Sequence, residues 1–86
     1  MISTTVTVVN ETGLHARPAS QLATLSQTFE SKLRIIRGEN EMDPKSIISI
    51  LSGGIAQGTT VELTAEGPDE QNAIEELVAF IEALTE

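Results

Sequence analysis

Residues 2 to 9 alternate along the chain. Ile2, Thr4, Val6 and Val8 fall on one side and Ser3, Thr5 and Thr7 on the other. A period of two builds a strand with one buried face. The pattern returns in 32–37, with Leu33 and Ile35 inward, and in 59–66, with Val61, Leu63 and Ala65 inward. Strands with a single apolar face suit an antiparallel sheet covered on one side only. The core over that sheet must come from Ile, Leu, Val and Ala, because the 86 residues contain no Trp or Tyr and two Phe.

Between the strands the period changes. Ala19, Leu22, Ala23, Leu25 and Phe29 recur at helical spacing, which predicts a first helix from about Ala16 to about Thr28. Gly38-Glu39-Asn40 reads as a hairpin turn, followed by a short strand over 41–43 that Pro44 ends at a sheet edge. Ser46 before Ile47-Ile48-Ser49-Ile50-Leu51-Ser52 is an N-cap signal. Ile47, Ile50 and Leu51 share one face of that single turn and Ile48 does not, so at least one should be exposed. Gly53-Gly54 ends the helix. Gly67-Pro68-Asp69 opens the last helix, with Asp69 as its expected cap and Ile74, Leu77, Val78 and Ile81 on its buried face. The order is β-α-β-β-α-β-α, an α+β chain of one domain over 1–86, with no repeat and no linker.

The chemistry gathers in Gly13-Leu14-His15-Ala16-Arg17-Pro18-Ala19-Ser20, which holds the one histidine of the chain. Neutral imidazole is a nucleophile. Arg17 brings a guanidinium suited to phosphate oxygens. Pro18 fits the first turn of a helix. His15 should therefore stand at a helix mouth, where the first amides and the dipole favour an anion. A nucleophile, a cation and a helix start make a site for carrying a phosphoryl group, with the small Ala16 and its neighbour Arg17 offering backbone amides.

Other classes are poorly served. One histidine and no cysteine argue against a metal site, and nothing calls for a cofactor. No histidine, serine and acid are spaced as a hydrolase would need. A formal net charge of −8 argues against nucleic acid. No apolar run approaches the roughly 20 residues of a membrane span. Met1-Ile2-Ser3-Thr4 lacks the basic start of a signal peptide. The expectation is a soluble cytoplasmic protein.

The segment around His15 resembles the active-site segment of the HPr family, the histidine-containing phosphocarriers of the bacterial phosphotransferase system. The resemblance continues in Lys45-Ser46-Ile47, in Gly54-Ile55-Ala56-Gln57-Gly58 and in the acidic start of the last helix. It implies an open-faced β-sandwich, four antiparallel strands covered on one face by three helices. It implies a carrier without turnover of its own, phosphorylated on Nδ1 of His15 by Enzyme I and discharged to IIA proteins. It also implies regulatory phosphorylation of Ser46 by an HPr kinase/phosphorylase, with a catabolite-control transcription factor as reader. That phosphate would add charge beside the His15 face. Ile47, Ile48 and Leu51 would form a docking patch. Where many family members carry lysines near this face, the chain has Thr24, Gln27, Asn40 and Ser49. That departure leaves room for the nitrogen-related branch of the family.

Overall fold

The computed structural model describes residues 1–85. Its elements are β1 (Ile2–Thr7), α1 (Ala16–Ser26), β2 (Lys32–Arg37), β3 (Asn40–Met42), α2 (Ile47–Ser52), β4 (Thr60–Glu66) and α3 (Glu70–Glu82). The four strands form one sheet in the order β1-β4-β2-β3, and every pairing is antiparallel. Val6 faces Val61 and Ile35 faces Leu63 across the ladder. These side chains, with Leu33 and Ala65, are buried under the helices. Ser3, Thr5, Thr7, Lys32 and Glu66, at the alternate positions, are exposed. The sheet is thus covered on one face, as the alternation requires.

Leu22 from α1, Ile50 from α2 and Leu77 and Ile81 from α3 close the core from above. Each buried side chain of this size contributes about 1.5–3 kcal/mol through area removed from water. α3 lies against β1 and β4, and α1 lies between α2 and α3.

Several boundaries differ from the expected ones, each for a local reason. α1 ends at Ser26 because the Thr28 and Phe29 amides turn back to Leu25 O (3.1 Å) and Ser26 O (3.2 Å). β3 begins at Asn40, which pairs with Arg37 across the two-residue loop Gly38-Glu39. It ends before Asp43, whose amide donates to Ser49 Oγ at 2.8 Å instead of to a strand. β1 stops at Thr7, and Val9 swings outward to 57 % exposure. Gly54 rather than Gly53 takes the left-handed conformation after α2, at φ 60° against −76°.

Asp69 stands at the N-cap position of α3 but makes no capping bond. Its carboxylate reaches back to the α1–β2 loop. It accepts from the Glu30 and Ser31 amides, each at 2.9 Å, and from the Ser31 hydroxyl. Glu70 serves the helix start instead, with Oε1 accepting from the Gly67 amide at 3.1 Å. The Ser31 hydroxyl first, and the Glu30 amide after it, hold the Asp69 carboxyl below the ordinary aspartate value of 3.8. As pH falls, the unfolded chain takes up this proton before the folded one does. The stabilisation is therefore complete above 3.8 and is lost as pH drops below it. Asp69→Asn is expected to lower the urea midpoint at neutral pH and to flatten the acid limb of a stability-against-pH curve. Wild-type and variant curves that stay parallel down to acid would contradict the assignment.

Candidate functional site

His15 is the N-cap residue of α1, with extended backbone angles of φ −80° and ψ −171°. Its carbonyl accepts the Ala19 amide at 2.8 Å, so the residue starts the helical ladder. Its side chain makes no capping hydrogen bond and is exposed, as are Ala16 and Arg17. Pro18 and Ala19 behind them are buried. Pro18 has no amide hydrogen to leave unpaired in this first turn, and the Ala19 amide makes the first helical bond. The imidazole thus stands in solvent at the positive end of an 11-residue helix.

The loop before His15 is braced by a second loop. Leu14, 3 % exposed, anchors its side chain in the core and donates its amide to Ile55 O at 3.0 Å. Gly58 donates to Val8 O at 2.7 Å, and Gln57 Nε2 to Val9 O at 3.0 Å. Gly13 sits so close to this second loop that a Cβ there would meet Ile55 O and lie 2.7 Å from Ala56 Cα. These supports join residues more than forty positions apart, and no local pattern in the sequence marks them.

The model for the family described as "PTS HPr component phosphorylation site" matches residues 2–83. The chain belongs to the HPr family. The HPr phosphocarrier of Cupriavidus necator is 37 % identical over 94 % of this chain and 91 % of its own. The HPr-like protein Crh of Halalkalibacterium halodurans is 40 % identical over 95 % of this chain and 98 % of its own. The crystal structure of HPr-C-His from Thermoanaerobacter tengcongensis superposes with a TM-score of 0.93 at 41 % identity, covering 96 % of this chain and 93 % of that one. The α+β open-faced sandwich is the fold of this HPr neighbour.

Within this HPr fold Ser46 caps α2, its Oγ accepting the Ser49 amide at 3.2 Å. Ser46→Ala is expected to cost about 1 kcal/mol, read from urea denaturation. Lys45 and Ser46 lie toward the far end of α1. Gln27 Nε2 donates to Lys45 O, and Lys45 Nζ donates to Phe29 O, each at 2.9 Å. Gln27 is twelve residues beyond His15, which is about 18 Å along a helix axis. Ser46 therefore stands at the opposite end of α1 from the imidazole. α2 runs back along α1, and the chain beyond it reaches Leu14 through Ile55.

Of the α2 side chains only Ile50 is buried. Ile47 is 41 %, Ile48 80 % and Leu51 43 % exposed. Ile47 and Leu51 therefore do not share the fate of Ile50, because a six-residue helix over α1 has room for one buried contact. Arg17 is the only charged residue in α1 and α2, whereas α3 carries Glu70, Glu75, Glu76 and Glu82. No three of the His, Asp and Glu side chains gather as a metal site among the described residues. No helix there is long and apolar enough to cross a membrane.

Proposed function

We propose that this HPr-family chain carries a phosphoryl group on His15, taken from phosphorylated Enzyme I and passed to sugar-specific IIA proteins of the phosphotransferase system in the cytoplasm. Residues 1–86 act as one carrier unit, without turnover of their own. The observation that supports this most is the exposed, uncapped imidazole at the head of α1.

The lone pair of neutral Nδ1, the nitrogen that the family resemblance implies, attacks phosphorus in line. The N–P bond forms while the bond from phosphorus to the donor breaks, and its electron pair leaves with the donor. An acceptor nucleophile then attacks the same phosphorus, and neutral imidazole departs. The guanidinium of Arg17 gives charge-assisted hydrogen bonds to the phosphoryl oxygens, and the amides of Ala16 and Arg17 add backbone donors. Ile47, Ile48 and Leu51 supply an apolar docking surface along α2, beside a helix whose single charge is Arg17.

The test is incubation with Enzyme I, Mg²⁺ and phosphoenolpyruvate, followed by intact mass before and after acid. One acid-labile phosphoryl group is expected. No uptake, or a phosphate that survives acid, would refute the reading.

A regulatory role through Ser46 is a second reading, favoured by the likeness to the HPr-like protein Crh. A phosphate there adds about two negative charges at neutral pH. Screening over a Debye length of about 8–10 Å weakens its reach to the imidazole. It would act chiefly on a partner lying over α2, such as a transcription factor that reads it. Ser46→Asp, which mimics part of that charge, should raise KM for Enzyme I more than it lowers kcat.

A further inference from the structure

The His15 side chain makes no capping bond to hold its direction, so its aim depends on the backbone that leads into it. One peptide upstream, the Gly13–Leu14 peptide is gripped on both edges. Its N–H donates to Ile55 O at 3.0 Å. Its C=O accepts from Asn10 Nδ2 at 2.9 Å. Asn10 is 4 % exposed, an uncommon place for an amide side chain. The same nitrogen also reaches Thr12 Oγ1 at 3.4 Å. The Gly13 amide closes the turn onto Asn10 O at 3.1 Å.

We infer that Asn10 is a positioning residue for phosphoryl transfer: its buried amide holds the Gly13–Leu14 peptide and thereby aims the His15 imidazole. The inference rests on the carrier reading above and assigns a further residue to that site. Gly13 is the residue of this segment with the softest backbone. With its carbonyl held by Asn10 and the next amide held by Ile55, rotation of the shared peptide plane breaks two bonds at once. Without Asn10 only the Ile55 bond opposes it. Gln57 braces the same loop through Val9 O, but from the outside and upstream of this peptide.

In-line attack depends steeply on aim, and a displacement of about 1 Å can cost on the order of a hundredfold in rate. The docking residues on α2 are untouched by a change at position 10. The loss should therefore fall on kcat and not on KM.

The experiment compares wild type, Asn10→Ala and Asn10→Asp as acceptors from phosphorylated Enzyme I. Asn10→Asp keeps the shape but turns an acceptor toward the Gly13 carbonyl. Asp69→Asn, which loosens the other end of α1, serves as a control for lowered stability alone. Both Asn10 variants should lose at least tenfold in kcat with KM within about twofold, and the control should lose neither. Relaxation dispersion on the Leu14 and His15 amides should show new microsecond-to-millisecond exchange in the Asn10 variants. Folded Asn10 variants with wild-type kcat and quiet amides would overturn the inference. If wild type itself accepts no phosphoryl group, the carrier reading falls, and the relaxation measurement alone decides whether Asn10 holds the His15 loop.

Discussion

Replacing His15 by alanine is expected to abolish phosphoryl uptake while leaving the fold as stable as before. The two halves of that expectation have separate grounds. The chain has one histidine, and no other imidazole can take over the transfer. The side chain is exposed and makes no capping bond, so its removal takes no hydrogen bond from the start of α1. His15 holds the N-cap position without a capping bond, so its truncation should stay within about 0.5 kcal/mol, as for other surface changes. The ladder bond that starts α1 comes from the His15 carbonyl and survives the substitution. Intact mass after incubation with the donor system, and a urea midpoint, check both halves. Uptake by the variant would move the phosphorylation site elsewhere in the chain. A collapsed fold would mean that the imidazole has a structural role.

Gly13→Ala should be the most damaging of the glycine substitutions near the site, and Gly54→Ala is its natural comparison. Both residues have φ near 60°, a conformation that costs an alanine about 1–2 kcal/mol. Around Gly54 a Cβ would meet nothing within 4 Å. Around Gly13 it would run into the backbone of Ile55 and Ala56, which cannot swing aside as a side chain can. Overpacking adds about 1–3 kcal/mol. Gly54→Ala should therefore cost about 1 kcal/mol and Gly13→Ala about 3 kcal/mol. The larger cost also pulls on the Leu14–Ile55 hydrogen bond, so phosphoryl uptake should slow in the Gly13 variant alone. Equal urea midpoints for the two variants would show that the crowding at Gly13 is relieved by movement of the 55–58 loop.

The two loops also explain why the site reads so differently from its supports. His15, Arg17 and Pro18 act within one helical turn, and their residue types announce the chemistry without knowledge of the rest. Asn10 and Ile55 carry no such mark. Each is ordinary in type, and each matters through one carbonyl or amide that the fold brings to it.

The same division runs through the whole chain. Legible in the residues alone were the segments that form strands, those that turn as helices, the Ser46 cap of α2 and the meeting of a lone histidine with an arginine at a helix mouth. These depend on periodicity and on contacts within a few residues, where the chain has little choice. It took the packing of the whole chain to send the Asp69 carboxylate to Ser31, 38 residues away, instead of to its own helix. Packing also decided that Ile50 alone of the α2 side chains is buried, that Ser46 lies toward the far end of α1, and that the Gly13–Leu14 peptide is gripped from both sides. In each case the competing partners are close in chemical type, and what selects among them is which groups the packed sheet and helices bring within about 3 Å.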